Sequence, residues 1–176
     1  MKKIFKYIFA GMAAMSVVAC SEDALETSPS SSVSGNELLG TATNALVSLN
    51  GVYRAMYTAG VSNSSNTHQC FGITAYNLVA DVMGEDCIMN GQGSGWFWYD
   101  CVYNVKSRYT STGWRSYDMW NGYYTWISNV NYILAEEETM SGSETEKNYV
   151  LGQAYAVRAY SYFMLAQMFS RTYKKT

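Results

Sequence analysis

The stretch SETEKNYVLGQAYAVRAYSYFMLAQMF, residues 143–169, constrains the fold of this chain more than any other. It opens on Ser143 with Glu146 three positions later, the spacing of a capping box. In that arrangement a hydroxyl takes one orphan helix amide while the carboxylate reaches back to the first. Leu151, Tyr155, Arg158, Tyr162, Leu165 and Phe169 then recur at alternating steps of four and three, the period that lines side chains on one helical face. No proline interrupts the run, and Gly152 near its start costs at most ~1 kcal/mol relative to alanine. The segment predicts a long helix with one face meant for burial.

A partner lies immediately upstream. Tyr117, Trp120, Tyr124, Ile127, Asn131 and Leu134 repeat the same alternation and predict a second amphipathic helix over 117–138. The link Thr139-Met140-Ser141-Gly142 is short, which makes the two helices antiparallel neighbours. Aromatic residues on the first helix and the small Ala154, Ala159 and Ala166 on the second resemble a tetratricopeptide-type unit. No second copy recurs at a clean period, so any array is inferred from one unit.

At 176 residues the chain has material for one domain. Apolar residues make up 48% and charged ones only 15%, with sixteen tyrosines and five tryptophans, enough to fill a core and leave rings for a surface. The N-terminus begins with Lys2, Lys3 and Lys6 ahead of an apolar run over 7–19 that ends Val17-Val18-Ala19-Cys20. A basic start, a short apolar stretch and a small residue before the cut are the marks of a secretory signal. The run is shorter than the ~20 apolar residues of a membrane span. A cysteine straight after the small residue resembles a bacterial lipobox, in which Cys20 becomes the lipidated first residue; an ordinary signal peptide or an uncleaved anchor is the alternative. Loss of 1–19 removes three of the twelve basic residues and leaves nine against fourteen acidic, a net of about −5. With no basic stripe, this excludes nucleic acid as the expected partner.

Residues 20–35 are polar and serine-rich, hold the single proline, Pro29, and read as a flexible tether. Ser21-Glu22-Asp23 directly after Cys20 resembles the signal that exports bacterial lipoproteins to the outer face of the outer membrane, although a solvated linker with chance charges would look the same. The domain proper is placed at 36–176. Ala42, Leu46, Leu49, Tyr53 and Met56 predict a helix over 41–58 with Gly60 as its stop. A Ser/Asn loop over 62–66 leads to a helix over 73–83 closed by Gly84. From 90 to 113 helical period is lost, glycines punctuate the chain, and Trp96-Phe97-Trp98-Tyr99 sits in the middle. This predicts an irregular excursion with a short strand over 99–105, and long loops in a compact domain often carry function.

Taken together, the lipobox, the tether, LVSLNGVYRAMY, the acidic Gly84-Glu85-Asp86, the aromatic excursion, WNGYYTWISNVNYIL and AYAVRAYSYFMLAQMF resemble the N-terminal part of SusD/RagB-type nutrient-binding lipoproteins. The most specific pieces are Trp120-x3-Tyr124-x2-Ile127-x3-Asn131 and Arg158-Ala159-x2-Tyr162-Phe163. Two features depart from that pattern. Ser170-Arg171-Thr172 stands where the family has a glycine and a proline-containing loop, and the family's chains are far longer, so 36–176 reads as a truncated N-terminal portion. The resemblance implies a mostly α fold of tetratricopeptide-like hairpins. It also implies a lipid anchor at Cys20 in the outer membrane, facing the exterior, with no cofactor and no catalysis. The implied role is capture of an oligosaccharide or other nutrient and its delivery to a SusC-type TonB-dependent porter.

Sugar rings stack their C–H faces on flat aromatic side chains, while amides and carboxylates bond the hydroxyls. The candidates here are Trp96, Trp98 and Tyr99, with Asp100 and Asn104 as hydroxyl partners. The alternative is that one or more of these rings fill the core. Arg158, on the expected buried stripe, must find a carboxylate or carbonyls, with Asp81, Glu85, Asp86 and Asp118 available. Asn131 reads as a polar bridge between the helices. Enzymatic readings have little to stand on. His68 is the lone histidine, Cys70, Cys87 and Cys101 lack metal-ligand spacing, and no phosphate loop or nucleophile elbow occurs. Those three cysteines permit one disulfide and a free thiol. Glu85-Asp86 with Asp100 would serve a glycosidase only at the carboxylate separation that chemistry needs. A helical-repeat interaction scaffold and a surface glycoside hydrolase are the alternatives to glycan capture.

Overall fold

Two of the α-helices begin where a side chain offers the first amide groups an acceptor. Thr41 accepts from the Asn44 amide at 3.1 Å and starts α1, Ala42–Ala55. A single 3-10 turn, Ser64–Asn66, precedes α2, Ile73–Met83, which ends at Gly84 as its composition predicts. The short α3, Trp98–Cys101, stands in the excursion, followed by α4, Trp114–Ala135, and α5, Glu144–Phe169. The capping box of α5 is complete: Ser143 Oγ accepts from the Glu146 amide, and Glu146 Oε2 accepts from the Ser143 amide at 3.0 Å. The Ser143 hydroxyl, donating to the same Oε2 at 2.7 Å, and the Ser143 amide hold the Glu146 carboxyl below the ordinary glutamate range. This computed structural model describes residues 38–84, 87–102 and 110–171, within a unit spanning Asn36–Thr176. Cys20, the tether, Glu85, Asp86 and Asn104 therefore lie outside the described residues.

α4 and α5 form the antiparallel hairpin, and α1 packs against both. The turn of the hairpin receives the start of α1. Ser141 carbonyl accepts from the Ala42 amide at 2.9 Å, the Ser141 amide donates to Gly40 at 3.0 Å, and Met140 is buried beneath them. Among the described residues the fold is mostly α, and its β pairing is confined to the isolated bridge Thr41–Ser141. No described helix is long and apolar enough to cross a membrane.

The faces turned inward differ from those the spacing predicts. In α4 the buried side chains include Met119, Tyr123, Trp126, Val130 and Ile133, with Ile127 and Leu134 at the edge of the expected stripe. Tyr117, Trp120, Tyr124 and Asn131 are exposed. In α5 the buried face is Val150, Ala154, Val157 and Ser161, together with Leu151 and Leu165 of the expected stripe, whereas Tyr155, Tyr162 and Phe169 face outward and Ala159 and Ala166 are exposed. Both stripes are displaced by one residue, a rotation of roughly 100° about the helix axis. The physical reason is that two stripes of similar period coexist on each helix. Aliphatic and small residues, with the rings of Tyr123 and Trp126, fill the inner faces of α4 and α5, while the outer tyrosines keep a phenol in water and a ring half covered. α1 shows a milder form: Ala45 and Val52 join Ala42, Leu49 and Met56 inside, and Tyr53 stays half-buried with its phenol donating to Gln153 at 3.1 Å.

One further expectation is corrected. Residues 98–101 form a helical turn where a strand was expected, because Phe97 enters it in the left-handed region at φ 56°; residues 103–109 lie outside the described ones. Cys70, Cys87 and Cys101 are all free thiols, buried, exposed and half-buried respectively.

Candidate functional site

The excursion is anchored by two of its residues and displays the others. Phe97 is buried, donates its amide to Gln69 Oε1 at 2.9 Å, and sets its ring edge-on to Phe71 at 6.1 Å. Asp100 is also buried and accepts two bonds from Arg115, Nη2 to Oδ2 at 2.8 Å and Nε to Oδ1 at 3.2 Å. This is the bidentate geometry in which a planar guanidinium fits a carboxylate. Arg115 Nη1 donates to the Gln69 carbonyl at 2.8 Å, and its plane lies 4.2 Å from the Trp114 ring and 5.2 Å from that of Phe97. Gln69, Phe97, Asp100 and Arg115 thus close a ring of contacts. Trp96, just before the first anchor, and Tyr99, just before the second, remain 51% and 42% exposed. Trp98 is half-buried. The His68 ring sits 5.1 Å from that of Trp96.

Of the five residues proposed for ligand contact, the structure therefore brings Trp96 and Tyr99 to the surface and Trp98 to its edge. Asp100 is corrected: its carboxylate is an internal anchor facing a cation, not a hydroxyl partner facing solvent. Arg158 is corrected as well. It lies half-exposed, donates to Asn131 Oδ1 at 3.0 Å and stands 4.9 Å over Tyr155, so the interhelical bridge expected of Asn131 is present without a carboxylate. Among the described residues the buried arginine is Arg115. Its signal was available in the sequence, since Arg115 has Asp118 at i+3 and Asp100 in the excursion before it, but it falls off the stripe that the aromatics draw attention to.

Behind the anchor lies a second polar cluster. Asp118 is fully buried and accepts from the Ser62 hydroxyl, while the Tyr76 phenol donates to the Asp118 carbonyl at 3.0 Å. Arg115 Nη1 approaches Asp118 Oδ2 at 3.9 Å. Burial raises the Asp118 carboxyl above the ordinary aspartate range despite Ser62, Cys70, Arg115 and Tyr76 favouring its charge. Burial, then the Asp118 charge, pushes the Cys70 thiol up to about 12 and moves the Tyr76 phenol in the same direction. A folded-state value above the unfolded one means that Asp118 contributes stability fully below the unfolded value near ~4, and that this contribution is lost as pH rises through the folded value. Asp118→Asn should therefore flatten the fall in stability above that range. Urea titrations of both proteins from pH 4 to 8 test it, and identical slopes would refute it.

A further aromatic group occupies the outer face of the hairpin. Trp120 lies 4.6 Å from Tyr124 and 5.1 Å from Phe169, and Tyr124 meets Tyr162 edge-on at 6.4 Å. An apolar groove of about 340 Å³ between Val79, Met83, Met119, Met168 and Phe169 adjoins it.

Inside this helical-hairpin domain the Arg115–Asp100 pair is sealed, and the loop it clamps presents Trp96 and Tyr99 to solvent. The chain belongs to the SusD-like family, whose description, starch-binding associating with outer membrane, applies to the match over residues 25–176. No curated protein and no solved structure matches it. Membership places the protein among outer-membrane-associated, glycan-binding proteins of a generally non-catalytic family.

Proposed function

We propose that this protein is a surface lipoprotein, anchored through Cys20 and the 20–35 tether, that captures an α-glucan by stacking it on Trp96 and Tyr99. It then passes the glycan to a SusC-type TonB-dependent porter without catalysing any step. The observation that carries the reading is the exposure of Trp96 and Tyr99 on a loop whose neighbours Phe97 and Asp100 are tied down. Exposed rings on a rigid loop meet a sugar face without first paying to order it. Trp98 would line the same platform, and Asn104 would supply an amide to the ligand. The α-glucan choice comes from the family's starch-binding description.

Trp96→Ala should weaken maltoheptaose binding roughly tenfold, the effect of removing one buried aromatic anchor from an interface. Isothermal titration reads this directly, and unchanged affinity in both Trp96→Ala and Tyr99→Ala would sink the proposal. The exposed Trp120, Tyr124, Tyr162 and Phe169 group supports a second reading, a scaffold that grips a protein partner through the hairpin. In that case Trp120→Ala would impair partner capture while Trp96→Ala left it intact.

A further inference from the structure

Next to the aromatic loop, residues 60–70 close into a loop of their own. At its neck the Gly60 amide donates to the Cys70 carbonyl at 2.8 Å. Gly60 sits at φ +76°, where a Cβ would lie 2.9 Å from Thr67 Cγ2. Asn63 Oδ1 caps the 3-10 turn by accepting from the Ser65 amide at 3.0 Å. Asn121 Nδ2 donates to the Ser62 carbonyl at 2.8 Å and ties the loop to α4. Between the loop and α4 a cleft of about 400 Å³ remains, walled by residues 60–65, Tyr117 and Asn121. That volume lies within the range of small-molecule sites.

The lining is chemically selective. It carries no charged side chain, which disfavours phosphates and carboxylates, since those are held by paired cations. Its walls are hydroxyls and amides with a single flat ring, Tyr117, which is 54% exposed. Among the described residues the hydroxyls of Ser64, Ser65 and Tyr117 make no hydrogen bond to protein, so their capacity is open to a ligand. An uncharged ligand with many hydroxyls and one apolar face satisfies both features, and a neutral pyranose is that ligand. The cleft is close along the chain to the platform already described. His68, in contact with Trp96, lies three residues beyond Ser65, a reach of at most ~11 Å of chain.

We propose that this cleft is a second sugar subsite, stacking a neutral pyranose on Tyr117 and bonding its hydroxyls through Ser64, Ser65 and the Asn63 and Asn121 amides. It rests on the glycan-binding role given above, and serves another ring of the same oligosaccharide that meets Trp96. Maltoheptaose is added to the 15N-labelled protein and to its Trp96→Ala, Tyr117→Ala and Tyr117→Phe variants. The Ser64 and Ser65 amides and the Asn121 side-chain amide should shift, and should still shift in Trp96→Ala at higher ligand. Tyr117→Ala should abolish those shifts and lower affinity roughly tenfold, while Tyr117→Phe, which keeps the ring, retains most of it. Movement of the Trp96 indole N–H with those three groups unmoved would overturn the subsite and leave the platform standing. Movement of the three groups with Trp96 unaffected would support the subsite and overturn the platform. No movement at either place would overturn both, as would a Tyr117→Ala protein that binds and shifts like the wild type overturn the subsite.

Discussion

Arg115→Ala should destabilise the domain by about 3–5 kcal/mol, the usual consequence of removing one partner from a buried ion pair. Against a total stability of roughly 5–15 kcal/mol for a domain of this kind, that is a large share. The guanidinium is 3% exposed and serves three acceptors at once: Asp100 through two bonds, the Gln69 carbonyl, and Asp118 at longer range. Truncation strips Asp100 of its cation and Gln69 of its donor inside a site where water does not compete. It also removes the plane packed against Trp114 and Phe97. Arg115→Lys should recover only part of the loss, because an ammonium cannot make the forked contact with a carboxylate. Urea denaturation gives the magnitude, and tryptophan quenching by acrylamide reports whether the excursion has come loose. A midpoint shift equivalent to less than about 1 kcal/mol would place Arg115 among ordinary surface residues and contradict the clamp.

Gly72→Ala should be comparably severe, about 3–5 kcal/mol, for a reason that involves no charge. Gly72 holds φ 69° and ψ −145°, a region essentially reserved for glycine. A Cβ there would lie 2.0 Å from the Met56 carbonyl oxygen and 2.5 Å from its carbon. Both are backbone atoms at the end of α1, and the same carbonyl accepts from the Ile73 amide at 2.8 Å, so neither side can yield without separating α1 from the start of α2. Gly152→Ala is the matched control. A Cβ at that exposed helical position meets nothing within 4 Å, and the change should stabilise by about 0.5–1 kcal/mol through helix propensity. Thermal melts of the two variants should move in opposite directions. Equal, small shifts would show that the α1–α2 junction is looser than its geometry requires.

Local signals read well along this chain because each depends on neighbours a few residues apart. The Ser143–Glu146 box, α2 over Ile73–Met83, the Gly84 stop and the antiparallel hairpin all follow from spacing and capping chemistry. The family signature was legible for the same reason, as fixed offsets such as Trp120-x3-Tyr124 and Arg158-Ala159-x2-Tyr162-Phe163 survive without reference to packing. The candidate platform was legible only as a composition, a cluster of rings between glycines. Which of those rings would face water was not, because Phe97 and its neighbours differ little in hydropathy or β-propensity. The choice was made by Gln69 and Asp100, which hold one side of the loop against Arg115.

Sequence by itself determined that this is a helical, aromatic-rich SusD-like chain with an irregular loop between its second and third long helices, since periodicity and caps are properties of the local chain. Only the tertiary structure decided which of two coexisting stripes on α4 and α5 turned inward, and which arginine was sealed. Tyr117, Trp120, Tyr124 and Tyr162 satisfy helical spacing as well as Val130, Ile133, Ala154 and Val157 do. Their spacing carries no record of what the opposite helix presents. Close packing settled the matter by admitting the aliphatic and small side chains, with Tyr123 and Trp126, to the interior and leaving the outer rings at the surface. Asp100 and Asp118 placed the buried cation at Arg115, because a guanidinium is stable inside only where carboxylates, here one from the excursion and one from its own helix, converge on it.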